Sequence, residues 1–517
     1  MTNAAASRRK NMLSEACKHH SVKLLAFTSG MFALATPGFA TDVYFDINGA
    51  TSGSGATGSS TWSNSATSSL YYWTSSSAGT ATTTRWASYN DGNADIHFAA
   101  GTDAAGATYS LSIASNPTPL VARGLYVEEG DMTLTGDSST GITLGSNGIS
   151  VLNNASLTID NLAKLTVGGN QTWQSTGSGK ITSEGALTIN SLLTLGTGQV
   201  SFTSNANTGS GGVTIDGGTV NTTVSAAFGT GTLTLKSGTL NWNYSTASSG
   251  GISNTLALTG NFAVGSNTTR YLAFSGGGTV TGSPTLTLAD TTSSGGTRFT
   301  TNALSLGSNL TFAGAGNATI SAPLTETAGG PSRSVIFNGT GTVILGGANT
   351  YTGSTTVNSG TVQVTGSLAN TSTVTMGGGT LAFTGSASSA TTHTVAATNF
   401  SGGTSTVTAA TGATGISETV NLGTISRSTG ATVAFSLPAT GAIKTTSVNA
   451  NFSGGQQSIL GGYALIGTNW ATVTADGLLI ALDTGNTTVG SGYGGGLTSA
   501  NKDINLGAGV YIIKFHD

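Results

Sequence analysis

The stretch Asp216-Gly-Gly-Thr-Val220 returns further along the chain as Lys236-Ser-Gly-Thr-Leu240. A second pair, Asn358-Ser-Gly-Thr-Val362 and Gly377-Gly-Gly-Thr-Leu381, has almost the same displacement. In each stretch a turn-forming Gly precedes the alternation of polar and apolar residues that is typical of a β-strand. A recurring displacement of about 20 residues indicates one supersecondary unit that stacks on copies of itself.

Strands of the same kind lie before and after these repeats. Thr alternates with Leu, Val or Ile, and Gly, Asn, Ser or Asp bound each run. Beyond position 40 no window has the i, i+3, i+4 apolar pattern of a useful helix. The clearest strands are Ser156-Leu-Thr-Ile-Asp160, Lys164-Leu-Thr-Val-Gly168, Ala186-Leu-Thr-Ile-Asn190, Leu192-Leu-Thr-Leu-Gly196 and Thr232-Leu-Thr-Leu-Lys236.

These patterns predict an all-β chain that folds as a right-handed parallel β-helix, a β-solenoid. Each turn would pair with the turns above and below at about 4.7 to 4.9 Å, with Val, Leu and Ile inside and Thr and Ser outside. A series of antiparallel sandwiches or barrels is the alternative. We favour the solenoid because Asn-Gly and Asp-Gly hairpin dipeptides are few.

The composition restricts the class of protein. Only 7% of the 517 residues are charged, against about a quarter in an ordinary soluble domain. Hydrophobic residues make up 37%, which is too many for a disordered linker. The 78 glycines follow no Gly-X-Y period, so collagen is excluded. The sequence indicates an exported or surface β protein.

Residues 1–40 have the pattern of a secretory signal peptide. A basic region ends at Lys23, an apolar segment runs from Leu24 to Leu34, and small residues surround a predicted cleavage between Ala40 and Thr41. The chain's one cysteine lies inside this segment, so we expect no disulfide in the mature protein. Without the signal the net charge is about −7 and the basic residues are scattered, which argues against nucleic-acid binding.

We divide the chain into four parts. Residues 1–40 are the signal peptide, 41–125 an N-terminal cap region, 126–455 the solenoid body and 456–517 a C-terminal β module. We expect the aromatics of the cap region to cover the open first turn, whose unpaired edge would invite aggregation. The alternative is that they stack on sugar rings. These aromatics are Trp62, Tyr71, Tyr72, Trp73, Trp86 and Tyr89.

One segment of the body resembles a known family. Gly341-Thr-Val-Ile-Leu-Gly-Gly-Ala-Asn-Thr-Tyr-Thr-Gly-Ser-Thr-Thr-Val-Asn-Ser-Gly-Thr-Val-Gln-Val364 is similar to the autotransporter-associated β-strand repeat. Residues 46–145 and 461–473 resemble segments that accompany this repeat. The resemblance implies a parallel β-helix that is secreted or displayed at the cell surface in association with the outer membrane. The residues that carry the motif are Gly341, Asn349, Thr350, Tyr351, Thr352, Gly353 and Gly360.

The C-terminal end departs from the autotransporter pattern. Autotransporters end in a membrane β-barrel of alternating strands with aromatic girdles, and we expect this chain to be passenger-like without that barrel. Three explanations remain open: the product is released, it depends on a separate outer-membrane partner, or it is a truncated product of a longer protein.

The sequence offers few groups for catalysis. The spacing of Asp160 and Glu184 is close to one turn's displacement, and they are the best candidate pair of acids. Asp91-Gly-Asn-Ala-Asp-Ile-His97 superficially resembles a calcium loop, but it lacks the following Gly and the bidentate Glu, so we interpret it as a turn. His97 and His393 have no nucleophile that the sequence can nominate. We therefore expect no catalytic residues, no metal site and no cofactor.

These observations favour a non-enzymatic stalk, exported to the surface or the medium and adhesive to glycans or neighbouring cells. A carbohydrate-active parallel β-helix enzyme, either a polysaccharide lyase or a hydrolase, is the alternative. Three or more ionisable groups gathered in one groove would favour the enzyme.

The signal assignment predicts the N-terminus of the exported protein. Material recovered from outside the cell should begin at Thr41, because the small residues before that bond suit the cleavage site. N-terminal sequencing of the exported chain is the measurement. An exported chain that retains residues 1–40 would contradict the assignment.

Overall fold

The computed structural model describes residues 41–481, except 56–57, 64, 66–67, 115–118, 137–140, 162, 244–249, 267–270, 292–295, 328, 448–457 and 475. All described residues belong to one unit of the chain, residues 40–517. In this part the one helix is a 3₁₀ turn, Trp86–Ser88. No described helix has the length and apolar character needed to cross a membrane.

The first seventeen strands begin at Thr41 and end at Trp242. They are β1 Thr41–Phe45, β2 Gly58–Trp62, β3 Trp73–Thr74, β4 Ala94–His97, β5 Thr108–Ile113, β6 Leu120–Val127, β7 Asp131–Thr135, β8 Gly141–Val151, β9 Ser156–Ile159, β10 Lys164–Val167, β11 Gln171–Ser175, β12 Lys180–Ser183, β13 Leu187–Ile189, β14 Leu193–Leu195, β15 Gln199–Phe202, β16 Val213–Thr222 and β17 Leu233–Trp242.

The next seventeen strands cover the middle of the chain and include the family-like repeat. They are β18 Gly250–Ile252, β19 Leu256–Leu258, β20 Phe262–Ser266, β21 Tyr271–Phe274, β22 Gly278–Val280, β23 Thr285–Leu288, β24 Gly296–Phe299, β25 Leu304–Leu306, β26 Leu310–Gly314, β27 Ala318–Ile320, β28 Leu324–Glu326, β29 Val335–Phe337, β30 Thr342–Leu345, β31 Thr355–Val357, β32 Thr361–Val364, β33 Thr373–Met376 and β34 Gly379–Thr384.

Eleven strands complete the described fold. They are β35 Thr391–Thr394, β36 Ala397–Phe400, β37 Thr404–Ala410, β38 Glu418–Asn421, β39 Thr424–Arg427, β40 Thr432–Ser436, β41 Gly441–Lys444, β42 Ser458–Ile459, β43 Ala464–Ile466, β44 Asn469–Val473 and β45 Leu479–Ala481. Together the strands form a 29-stranded sheet, a 13-stranded sheet and a 3-stranded sheet.

Successive turns pair in parallel, which confirms the predicted parallel β-helix and argues against antiparallel sandwiches. The two sequence repeats are such pairs, since Val220 lies beside Leu240 and Val362 lies beside Leu381. Other turns contain more residues, and the step from β36 to β39 is a long one. The strands stay in register because the extra residues lie in the corners between them.

One column of strands runs through most of the solenoid, and we call it the long face. Its neighbouring strands are parallel partners at every step. The strands are β5, β7, β9, β12, β15, β16, β17, β20, β23, β26, β29, β31, β33, β36 and β39.

The core lies inside the coil and runs along it. Along the long face Leu157, Ile181 and Val200 are partners on successive turns and are fully buried or nearly so. Aromatic side chains stack in the same way: the ring centroids of Phe312 and Phe337 are 5.4 Å apart with the planes 8° from parallel. Each buried side chain therefore packs on its counterpart in the next turn as well as across the coil.

At each end of the described part an antiparallel strand pairs with one of the parallel strands. β3 pairs antiparallel with β1, and β44 pairs antiparallel with β43. Trp73 of β3 packs against Trp62 and Trp86, with ring centroids 5.0 to 5.2 Å apart among the three. Each of these residues is at most 2% exposed. These three buried rings pack inside the first turns, as expected of a cap, whereas Tyr71 is 45% exposed and has the Arg85 guanidinium over its ring. The exact limits 41–125, 126–455 and 456–517 remain a prediction.

The continuous core predicts a large cost for removing one inward side chain. Leu240→Ala should lower the free energy of unfolding by about 2 to 5 kcal/mol, because it leaves a cavity beside Val220 and Val264. Chemical denaturation is the measurement. The outward-facing neighbour supplies the control: Thr239→Ala should change the free energy by about 0.5 kcal/mol or less. Equal costs for the two variants would contradict the assignment of inside and outside.

Candidate functional site

The family-like repeat covers one full turn of the solenoid, from β30 through β31 to β32, which pairs with β30. Residues 342–345 form β30, 355–357 form β31 and 361–364 form β32. β30 and β32 are parallel partners in the 13-stranded sheet, while β31 belongs to the long face. The motif residues between β30 and β31 therefore make the corner that redirects the chain from one sheet to the other.

Asn349 joins three successive turns at this corner. Its side chain is 2% exposed. Its Oδ1 accepts a hydrogen bond from Leu324 N in the previous turn at 3.0 Å. Its Nδ2 donates to the carbonyl oxygens of Gly347 and, in the next turn, Ser367. The neighbouring Thr350 N donates to Leu324 O, so the motif satisfies backbone groups that a corner would otherwise leave unpaired.

Tyr351 anchors the same corner from inside. Its side chain is fully buried, and its hydroxyl lies 2.7 Å from the hydroxyl of buried Thr355. Burial raises the pKa of Tyr351 well above its usual value, so the phenol stays protonated and can donate this hydrogen bond. The ring fills the core and the hydroxyl is satisfied, which is a structural role.

Thr352 faces outward and contacts the previous turn. Its hydroxyl donates to Glu326 Oε1 at 2.6 Å and lies 2.9 Å from the Ser332 hydroxyl. Burial alone would raise the pKa of Glu326, but the hydrogen bonds from Thr352 and from Arg333 N outweigh it and lower that pKa. Glu326 is thus held ionised as an acceptor at the corner.

The glycines of the motif are required by close backbone approach. Gly360 has φ +64°, and a Cβ there would lie 2.5 Å from the carbonyl oxygens of Gly339 and Gly341. A Cβ on Gly341 or Gly353 would overlap the carbonyl oxygen of Gly316 or Arg333, respectively, one turn earlier. Six of the seven motif residues therefore have a side-chain contact or a glycine requirement in the turn, and Thr350 contributes its backbone N–H.

The predicted cleavage residues receive no test from the structure. Ala40 lies outside the described residues, and Thr41 begins β1, with its backbone N–H donating to Asn93 O at 3.4 Å. The cleavage site remains a prediction.

Charged groups pair with each other on the N-terminal turns. On the outer side of β1, β4 and β6 the rings of Tyr44, His97 and Tyr126 stack at 4.5 and 4.7 Å. His97 Nδ1 contacts Glu128, and its Nε2 lies 3.7 Å from Asp42 Oδ1. Burial would lower the pKa of His97, but Glu128 and Asp42 outweigh it and raise that pKa. His97 therefore has carboxylate partners that sequence spacing did not reveal.

A second contact in this region crosses three turns. Asp95 is 3% exposed and pairs with Arg123, whose Nε donates to it at 3.1 to 3.2 Å. Asn147 Nδ2, on β8, donates to the same carboxylate at 3.0 and 3.1 Å. The Arg123 guanidinium and the Asn147 amide satisfy the hydrogen-bonding capacity of the Asp95 carboxylate, so Asp95 links residues of three turns. We call Asp42, Asp95, His97, Arg123 and Glu128 the N-terminal charged cluster.

The first part of the calcium-like stretch, residues 91–93, folds as the predicted turn, whereas Ala94–His97 form β4. Asp91 Oδ1 accepts from Asn93 N at 2.9 Å and its Oδ2 from Asn93 Nδ2 at 3.2 Å, while Asp95 faces Arg123. Within the described ranges no group of three or more His, Cys, Asp or Glu side chains is placed to hold a metal ion.

The candidate pair of acids lies on neighbouring turns. Asp160 directly follows Ile159, and Glu184 directly follows Ser183, the partner of Ile159 on β12. Glu184 N donates to Ile159 O at 2.8 Å. The prediction that the spacing from Asp160 to Glu184 amounts to one turn is confirmed. The two acids stand at the end of the long-face strands, where the chain leaves the sheet.

The cross-turn bonds of Asn349 predict a stability cost. Asn349→Ala should lower the free energy of unfolding by about 1 to 3 kcal/mol, because it leaves the buried Leu324 N–H and the Ser367 carbonyl without these bonds. Asn338→Ala is the matched control, since Asn338 also accepts from the next turn, at Asn358 Nδ2, but is exposed. Denaturant unfolding of both variants is the measurement, and an equal or smaller loss for Asn349 would contradict the role.

Comparison with known proteins supports the resemblance at one place. Residues 338–364 match the family model described as passenger-associated-transport-repeat. No curated protein and no solved structure matches the chain. The matched segment contains the corner built by Asn349 and Tyr351 and the paired strands β30 and β32. This match and the parallel solenoid together fit an autotransporter passenger-like repeat protein.

Proposed function

We propose that this passenger-like chain is an exported, non-enzymatic stalk that adheres to glycans or neighbouring cells through its uncharged outer faces. The observation that carries the proposal is the in-register ladder of neutral hydrogen-bonding side chains on the long face. Export rests on the signal-like segment 1–40 and on the repeat at 338–364.

The ladder is a column of outward side chains, one from each of six successive turns. Neighbours in the column are partners across parallel strand pairs, so they repeat at about 4.7 to 4.9 Å. The side chains are hydroxyls in the first four turns and carboxamides in the last two. They are Thr133, Thr158, Thr182, Ser201, Asn221 and Asn241.

Contacts between turns hold part of this surface in place. Asn241 Nδ2 donates to Asn221 Oδ1 at 3.3 Å, and in the neighbouring column Ser156 donates to Asp131 at 2.6 Å. A hydroxyl has one donor and two acceptor positions, so a residue in such a column keeps capacity for a further partner. The surface thus presents regularly spaced, pre-ordered hydrogen-bonding groups, which lowers the entropy cost of binding a repetitive ligand.

The energetics favour binding by many weak contacts. A neutral hydrogen bond contributes about 0.5 to 1.5 kcal/mol net, so one ladder gives weak affinity. Many chains on one surface would raise the effective strength by avidity. Sugars present hydroxyls of the same chemistry at a regular repeat. Glycans or other cells are the partners we propose, together with a separate outer-membrane partner for attachment.

The ladder predicts which substitutions weaken adhesion. Beads coated with the chain at increasing density should bind glycan-bearing surfaces more than in proportion to density. Replacing Thr133, Thr158 and Thr182 by Val should reduce bead adhesion several-fold at unchanged thermal stability, because it removes three hydroxyls without disturbing the strands. The same change at Thr143, Thr166 and Thr188, an outward column on neighbouring turns, is the matched comparison.

Each outcome of this comparison has a meaning. Loss in the first variant alone assigns adhesion to the long face, and loss in both supports adhesion by neutral ladders in general. Adhesion that neither variant reduces would overturn the ladder as the binding surface. Adhesion absent at every coating density would overturn the adhesive role.

A carbohydrate-active enzyme is the second candidate, and the N-terminal charged cluster is the observation that favours it. Three acids, a histidine and an arginine lie on adjacent turns there, beside Tyr44 and Tyr126. Such groups supply the acid, base and cation that polysaccharide cleavage needs. Release of reducing or unsaturated ends from pectins or alginates, lost in His97→Gln or Glu128→Gln, would establish this candidate in place of the stalk. The same assay with Asp160→Asn and Glu184→Gln tests the other pair of acids.

A further inference from the structure

A histidine and a glutamate face each other inside the C-terminal turns. His393 lies on β35 and Glu418 begins β38, the next strand of the 3-stranded sheet. The side chains are 3% and 0% exposed, and His393 Nε2 is 3.4 Å from Glu418 Oε1. The two residues come from neighbouring turns, and neither belongs to the repeat or to the N-terminal charged cluster.

Other groups give this pair little hydrogen bonding. Neither ring nitrogen of His393 and neither carboxylate oxygen of Glu418 makes a well-formed hydrogen bond within the described part of the chain. Burial of an ionisable group without such bonds strongly disfavours its charged form. The two groups are therefore expected to exchange protons with each other and with solvent as one unit.

On the described strands β34, β37 and β41, which pack against β35 and β38, the residues next to the pair are neutral, and Lys444 of β41 is the partner of Asn421. β34 contributes the Phe383 ring, whose centroid is 5.1 Å from that of His393. The following Gly385 lies so close that a Cβ there would be 2.5 Å from Glu418 Oε2. From β41, Gly441 and the buried Ile443 are the partners of Glu418 and Val420. Thus His393 and Glu418 are the titratable groups that face each other here.

We propose that His393 and Glu418 form a single-proton pair that keeps the C-terminal turns, residues 379–444, closed from mildly acidic to neutral pH. With one proton the pair has no net charge, whichever residue carries it. A second proton leaves a buried net positive charge, and loss of the last proton leaves a buried net negative charge. Either change favours opening of the turns, because opening hydrates the charge.

The pKa shifts agree with this arrangement. Burial raises the pKa of Glu418 to about 7. Burial also lowers the pKa of His393, against a smaller opposing effect of the Thr384 carbonyl. The raised Glu418 pKa alone makes stability fall as pH rises from the ordinary glutamate value through about 7. The lowered His393 pKa alone makes stability fall as pH drops below the ordinary histidine value. Between those two ordinary values the slopes oppose each other and the wild-type pair is nearly insensitive to pH.

Replacing one residue of the pair should reveal the pH dependence that the other residue alone gives to the opening equilibrium, and the two dependences should have opposite signs. In His393→Phe the glutamate remains alone, and the opening equilibrium of residues 379–444 should rise by about two orders of magnitude between pH 4.5 and 7. In Glu418→Gln the histidine remains alone, and opening should increase toward acid. The wild-type chain should change by less than about threefold between pH 4.5 and 6.5, because the two linkage terms cancel there.

Hydrogen–deuterium exchange of the full chain is the measurement, with protection expressed relative to the intrinsic exchange rate at each pH. The double variant His393→Phe, Glu418→Met removes both titrations and should be flat from pH 4.5 to 8, which keeps the test decisive if one single variant fails to fold. Glu184→Gln, an exposed acid in another part of the solenoid, should reproduce the wild-type profile. Two single variants with the same slope, or a double variant that keeps a slope, would overturn the proposal.

Discussion

The parallel backbone hydrogen bonds between successive turns are the interaction on which the rest of this structure depends. Each strand of the long face both donates to and accepts from its neighbours: between β26 and β29, for example, Leu310 N donates to Ser334 O and Asn338 N donates to Phe312 O. Every turn is therefore completed by the turns beside it. This ladder places residues at the same position of successive strands beside each other, so Leu157, Ile181 and Val200 stack in the core. Burial of such a side chain contributes about 1.5 to 3 kcal/mol, and the alignment repeats that contribution along the coil.

The corners must adapt so that the ladder stays in register. The turn from β36 to β39 contains more residues than the turn from β31 to β33. The additional residues lie in the corners between strands, so the strands stay in register. There, polar side chains replace the backbone bonds that an irregular path would lose. Asn349 does so for three turns at once, and Asn207 similarly accepts from Leu187 N and donates to Ala227 O. The passenger-like motif is thus a device for turning the chain without leaving buried polar groups unpaired.

The chain has few charged residues, and the ion pairs of Lys236 with Asp216 and of Arg123 with Asp95 join neighbouring turns. Lys236 reaches Asp216 of the previous turn at 2.6 Å, and Arg123 reaches Asp95. An exposed pair such as the first contributes little to stability, so the body depends on its core and ladder. The neutral outer faces that result are compatible with an adhesive stalk. Ionisation has structural consequences in the N-terminal charged cluster, at Glu326 in the repeat corner and in the buried pair of the C-terminal turns.

The sequence by itself determined the repeating part of the structure. Alternation of apolar residues with Thr predicted strands with one buried face, and the recurring displacement of the Gly-Thr stretches correctly predicted the partners Val220–Leu240 and Val362–Leu381. These signals are local, because alternation and turn residues act within a few positions of each other. The Asn-Thr-Tyr-Thr-Gly motif was visible for the same reason.

Only the tertiary structure decided which isolated polar residues meet. His97 and Glu128 come together from neighbouring turns, and His393 and Glu418 are separated by one turn of a different length. Because the number of residues per turn varies along the chain, sequence spacing does not determine which side chains come into register after several corners. Burial also depends on the closed coil: the same Glu would be solvated on an outward position, but Glu418 points into the core. The ladder sets these neighbours, and it exists only after the turns have stacked.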